Sequence, residues 1–217
     1  MTSATLISHT TNKIVQMLTL QDEMYTKINS QWREAGYEWH RAIWTECAEL
    51  MDHYGWKWWK KQTPDVEQIK LEIVDIFHFG LSILLIESNN NEDIALDIAT
   101  ELEQSTNETD FKIAIEKLAH KTLETKSFAI KEFNTLLTLA DMSPDELFQQ
   151  YVGKNVLNFF RQDHGYKDGS YIKVWDGKED NEQLADVLNK LDANSVDFRN
   201  DVYKALEERY PATESTY

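Results

Sequence analysis

Two pairs of carboxylates, each spaced three residues apart, are the first residues in this chain that can do chemistry. Glu46 and Glu49 lie in Trp44-Thr45-Glu46-Cys47-Ala48-Glu49-Leu50, and Glu72 and Asp75 lie in the run from Leu71 to Ile86. On a helix, residues three apart share a face. The second run is apolar on nearly every side, which predicts a buried helix. Buried carboxylates are costly unless they are paired or bind a metal. If the two helices pack antiparallel, four acids converge, and four like charges need hard cations to neutralise them. All-oxygen ligation with open positions favours Mg²⁺ or Mn²⁺ over Zn²⁺, and Mg²⁺ held this way usually also holds substrate phosphates. The bland alternative is a set of structural salt bridges to Lys or Arg.

A basic group is the natural counterpart of such a centre. Between Pro144 and His164, the residues Lys154, Asn155, Asn158, Arg161 and Gln162 fall within about 120° of helical arc. Val152, Val156, Leu157, Phe159 and Phe160 cover the other side. Tyr166, Lys167, Tyr171 and Lys173 follow among Gly165, Gly169 and Gly177. Lys154, Arg161, Lys167 and Lys173 form a basic island that suits a polyphosphate. A solvated basic helix face is the alternative. Trp56, Trp58 and Trp59 beside Lys57, Lys60 and Lys61 can stack on a base or hold phosphates, or can mark an interface or a core edge. His78 reads equally as a satisfied core histidine, and Cys47 as a packed one.

Long helices must position these groups. Helical patterns run over about 6–29, 39–54 and 63–88, with a loop over Ser30–Tyr37. Thr63-Pro64-Asp65 reads as a helix start, with Thr63 as N-cap and Pro64 at the first position. Asn89-Asn90-Asn91 is a break. Residues 92–140 hold two or three amphipathic helices. Ser143 and Glu146 have capping-box spacing, and that helix runs to His164, where Gly165 ends it. Residues 165–178 form a glycine-rich loop. A last helix is expected over Glu182–Glu208, with a tail from Pro211. The fold class is therefore all-α: one domain over 1–217, a multi-helix bundle with core helices at about 6–88 and 144–208.

Composition agrees. The chain has 217 residues with 41% hydrophobic and 28% charged, and Gly and Pro together make only ten residues. A β-sandwich or barrel needs more turns than that. The formal net charge of −16 repels nucleic acid and anionic lipid, so neither is an expected partner. One cysteine leaves no internal disulfide and predicts a reducing, cytoplasmic setting. No signal-peptide pattern opens the chain, and the most apolar stretch, Ile73–Ile86, is too short and polar to span a bilayer.

These residues resemble the dimeric all-α dUTPases, within the MazG-like all-α nucleotide pyrophosphatases. The matching blocks are Glu46–Asp52, Trp56–Lys60, Glu72–Phe79, Tyr151–Gln162 and Gly165–Tyr171. The late blocks carry the dUTPase character, and the match is weakest over about 89–142, a more variable helical insertion. The resemblance implies a homodimer that hydrolyses dUTP, and also dUDP, to dUMP with Mg²⁺, releasing pyrophosphate or phosphate. Such an activity limits uracil incorporation into DNA and supplies dUMP for thymidylate synthesis. It also implies Glu46, Glu49, Glu72 and Asp75 as metal ligands, with Glu46 as general base and attack at the β-phosphorus. Lys154, Asn158, Arg161, Tyr166, Lys167 and Lys173 would hold phosphates. Gln21, His78 and Phe79, with Trp59 and Lys60, would line the uracil and deoxyribose pocket. Family members often have an Asn shortly after the Gln, whereas Tyr25 stands four residues on here.

Three rivals share some of these features. A related pyrophosphatase acting on dCTP or on many NTPs would carry the same acids. A ferritin-like di-iron site wants Glu-x-x-His from two helices, and only Asp75-x-x-His78 approximates it. A non-enzymatic acidic helical binding module would need neither the buried acids nor the basic island.

Overall fold

The run from Leu71 to Ile86 folds, as its composition demands, into a helix buried on almost every side. In the computed structural model, which describes residues 3–193, 195 and 197–211, this helix is α3, Val66–Glu87. It is preceded by α1, Ser3–Ile28, and α2, Trp39–Tyr54. It is followed by α4, Asn91–Leu102, α5, Phe111–Thr125, α6, Ile130–Leu139, and α7, Pro144–Asp163. A short hairpin of β1, Val174–Trp175, and β2, Lys178–Glu179, leads into α8, Asp180–Leu188, and α9, Phe198–Glu207. The fold is all-α, with this hairpin the one sheet among the described residues. No described helix is long and apolar enough to cross a membrane.

Local chemistry sets the helix ends, and it corrects two expectations. Thr63 and Pro64 precede α3 instead of opening it. Asp65 is the N-cap, its carboxylate accepting from Gln68 N–H at 3.3 Å. A carboxylate at the positive end of a helix is a better cap than a hydroxyl two residues upstream. The expected single helix over Glu182–Glu208 is two, α8 and α9. Asn189, Asp192 and Ser195 cluster between them, and such side chains offer the backbone local bonds that compete with the helix ladder. The turn is closed by Ser195 N–H donating to Asp192 O at 3.0 Å. The region 92–140 resolves into the three helices α4 to α6. Asn90 and Asp110 cap the first two of these through bonds to Glu92 and Asp93 N–H and to Lys112 and Ile113 N–H. Ser143 accepts from Glu146 N–H at 3.1 Å, as the spacing predicts, while the Glu146 carboxylate holds Lys70 at 2.6 Å. Of the tail expected from Pro211, residues 212–217 lie outside the described residues.

The chain divides into two compact units, Met1–Phe148 and Gln149–Tyr217, with the boundary inside α7. In the first, α2 packs against α3 and α5, α1 against α3 and α4, and α6 against α4 and α5. Its core gathers Ile43, Cys47 and Leu50 with Ile73, Ile76, Phe77 and Leu81. The ring of Phe77 stacks on Phe133 at 5.0 Å, with Phe128 close to both. Gly80 makes room for Phe128: a Cβ there would lie 2.6 Å from that ring. In the second unit, Tyr151, Phe160, Trp175, Leu184, Val202 and Leu206 form the core. The hairpin turns on Asp176-Gly177, both at positive φ, and pairs Val174 with Glu179 and Trp175 with Lys178. Such a pair of φ values suits a two-residue hairpin turn, for which Asp-Gly is a preferred sequence.

Candidate active site

The acids come together because α2 and α3 run antiparallel. Asp65 N–H donates to His53 O at 3.0 Å, and further along both helices the Glu46 carboxyl hydrogen-bonds that of Glu72. Glu46, Glu72 and Asp75 each place an oxygen so that all three lie within 4.8 Å of one another. Glu72 is buried, and Glu46 and Asp75 are half-buried. Glu49, one turn on from Glu46, is exposed and stands outside this triad, though its charge still reaches Glu46. His53 Nε2 lies 3.4 Å from Glu72 Oε1.

The electrostatic consequence falls on Glu46. Burial, then the bond to Glu72, then the charges of Asp75, Glu72 and Glu49 push its carboxyl up to about 9. The neighbouring Cys47 thiol is pushed up to about 12 by burial and by Glu46. It stays a protonated, packed thiol, unlike a ligating one. Three converging carboxylates with no thiolate among them fit a hard divalent cation. Their crowding is the kind of repulsion that such an ion relieves.

Of the expected base-pocket residues, three gather on α1 and α3. Gln21 is buried and donates from Nε2 to His78 O and to Ser82 Oγ, each at 2.8 Å. Its Oε1 faces His78 Nδ1 at 2.8 Å, so the His78 proton sits on Nδ1. Phe79, half-buried, stacks on Trp39 at 6.0 Å. Tyr25 packs against Trp39 at 4.8 Å and against Trp32 at 5.5 Å. Burial and the charge of Asp75 both push the Tyr25 phenol well above its usual range. Trp59 and Lys60 are exposed on the loop between α2 and α3, where Trp59 meets Trp56 and Trp58 edge-on. Trp58 is 89% exposed.

The basic island lies in the second unit, and its two members on α7, Lys154 and Arg161, are drawn in from solvent while Lys167 and Lys173 are exposed. Lys154 is buried, and its Nζ donates to Asn181 Oδ1 at 3.2 Å. Arg161 grips Asp180 with two prongs, Nε to Oδ2 at 2.8 Å and Nη2 to Oδ1 at 2.9 Å. Its Nη1 donates to Asn158 Oδ1 at 3.1 Å. The guanidinium lies 5.9 Å from the Tyr166 ring. Lys173 pairs with Glu179 at 2.9 Å. Tyr166 and Lys167 are exposed.

A family model described as dUTPase matches residues 13–166. The chain belongs to the dUTPase family. Its fold is of the all-α type seen in this family, and its activity is that of a dUTP diphosphatase, a hydrolase acting on a nucleotide. No curated protein matches the chain. The dUTPase match takes in both carboxylate pairs, Gln21, His78, Phe79, all of α7 and Tyr166, and ends before Lys167, Tyr171 and Lys173.

Two groups of residues near these side chains are not evident from motif spacing. Trp39 stacks on the Phe79 ring and packs with Tyr25 and Trp32, and the Tyr25 phenol feels the charge of Asp75. The only sequence signal is a local density of aromatics between positions 25 and 39. The tripeptide Glu179-Asp180-Asn181 meets Lys173, Arg161 and Lys154 in turn. Its signal is the Asp176-Gly177 turn just before it, which folds the chain back and opens α8.

Proposed function

We propose that this dUTPase hydrolyses dUTP to dUMP and pyrophosphate with Mg²⁺, for which Mn²⁺ substitutes. We also propose that it converts dUDP to dUMP and phosphate, and that it works as a homodimer. The convergence of Glu46, Glu72 and Asp75 carries the metal assignment. These three would hold the ion, with Glu49 as a further ligand from the next turn of α2. When bound, a divalent cation offsets charge on the phosphates and lowers the pKa of water.

The chain's own groups account for the remaining steps. Glu46 takes the proton of the attacking water as general base; the crowding by Glu72, Asp75 and Glu49 that favours its protonated form would be relieved by a cation held in the triad. The water oxygen bonds to phosphorus as the bridging P–O bond breaks, and the proton rests on Glu46. Lys154, Asn158, Arg161, Tyr166, Lys167 and Lys173 are assigned to the phosphates. Their N–H and phenol donors stabilise the charge that develops there. Gln21, His78 and Phe79, with Trp59 and Lys60, are assigned to uracil and deoxyribose. The Gln21–His78 interlock supports this by fixing which edge of each side chain is donor and which is acceptor.

The test is pyrophosphate release from dUTP and from each of the four standard dNTPs, with and without Mg²⁺. Rapid release from dUTP alone, lost on chelation, supports the reading. Equal rates on dCTP or dATP would overturn the base specificity. Full activity in excess chelator would overturn the metal assignment.

A further inference from the structure

Asp180 is fully buried at the first position of α8, with 0% of its surface exposed. A buried carboxylate is retained only with excellent partners, and Asp180 has them. Arg161 gives it two parallel N–H bonds, Tyr171 Oη donates to Oδ2 at 2.9 Å, and Asn181 N–H adds a backbone bond. Burial works to raise this carboxyl, but Arg161 and Tyr171 outweigh it and hold it below the usual range. The Arg161 and Tyr171 side chains are thereby each fixed in one orientation.

The consequence concerns Arg161. A guanidinium has five N–H donors in a rigid fork. Two go to Asp180 and one to Asn158, and the guanidinium also bonds the Tyr171 hydroxyl, which still leaves an N–H for a ligand. Asp180 thus decides the direction of the donors that remain. Lys154 and Lys173 are tethered by Asn181 and Glu179, on either side of Asp180. A free lysine or arginine would lose rotamer entropy on gripping a phosphate, whereas a tethered one has already lost it.

We propose that Asp180 is a positioning residue for polyphosphate binding: through its two-pronged bond to Arg161 and its bond to Tyr171, it presents Arg161 to the substrate's phosphates. This rests on the assignment of Arg161 to the phosphates made above. Asp180 touches no substrate atom and acts through Arg161.

The experiment compares full-length wild type, Asp180→Asn and Arg161→Gln at saturating Mg²⁺. It reads KM and kcat for dUTP and the inhibition constant of inorganic pyrophosphate. Loss of one charged partner is expected to raise both KM and the pyrophosphate constant about tenfold in Asp180→Asn. A purely structural role would reduce the number of active molecules, lowering kcat while leaving KM and the pyrophosphate constant at wild-type values. That result in Asp180→Asn overturns the proposal. If Arg161→Gln also leaves both constants unchanged, the phosphate assignment itself falls. If only Arg161→Gln moves them, the assignment stands and Asp180 has no positioning role. Should Asp180→Asn not fold, Tyr171→Phe removes one bond to Asp180 and keeps the ring. A rise of about threefold in the pyrophosphate constant then supports the proposal, and an unchanged constant overturns it.

Discussion

The carboxyl of Glu46 on α2 is hydrogen-bonded to the carboxyl of Glu72 on α3. Two carboxylates can share such a bond only if one of them holds a proton. In the metal-free protein this pushes Glu46 toward its protonated form, a role that a divalent cation would take over. This relationship gives the first two predictions their sign.

Glu46→Gln keeps the shape and removes the base. Turnover of dUTP is expected to fall by about 10²–10⁴. The protein should remain folded by circular dichroism. A kcat within a factor of two of wild type would reject Glu46 as the general base.

The same variant should stabilise the metal-free protein. The folded-state pKa of Glu46, about 9, lies above its ordinary value of 4.5. The contribution of its protonated form is fully present below 4.5 and is lost as pH rises toward 9. Discounted for half-burial, the relief in Glu46→Gln at pH 8 is about 1 kcal/mol, or about 2–4 °C in Tm. At pH 4.5 the two proteins should melt together. Mg²⁺ should raise the wild-type Tm and raise that of Glu46→Gln less. Thermal scans in chelator at both pH values, then with Mg²⁺, read all three differences.

Gly80→Ala sets two effects against each other. Alanine favours a helix over glycine by about 1 kcal/mol. The new methyl would meet the Phe128 ring at 2.6 Å, inside the core that Phe77 and Phe133 share. Overpacking of this kind costs about 1–3 kcal/mol, so the net change should be destabilising. A Tm at or above wild type would show that the ring moves aside freely.

Gln21→Ala breaks three bonds at once: those to His78 O, to Ser82 Oγ and with His78 Nδ1. It should cost about 2–4 kcal/mol, combining lost bonds and a cavity. With Gln21 also assigned to the base pocket, KM for dUTP should rise in the molecules that fold. Urea unfolding measures the first effect and steady-state kinetics the second.

The sequence by itself determined that the chain is all-α and which helix would be buried. It also placed the two pairs, Glu46 with Glu49 and Glu72 with Asp75, on successive helices. The reason is that these properties are periodic or compositional: a three-residue spacing, an all-round apolar run, a scarcity of Gly and Pro. Helix ends were partly legible, since Ser143 caps as its spacing implies, while Asp65 caps α3 in place of Thr63 and is also tied through its N–H to His53 O. What only the tertiary structure decided is how charges are shared. The basic residues near the chain's end look like free cations in one dimension. Once Asp176-Gly177 reverses the backbone, Glu179, Asp180 and Asn181 meet three of them. Likewise Gln21 and His78, 57 residues apart, interlock only because α1 packs on α3. Short-range patterns fix helices because their forces act within a turn or two. Pairings between distant side chains depend on how those helices pack, and that is a property of the folded chain as a whole.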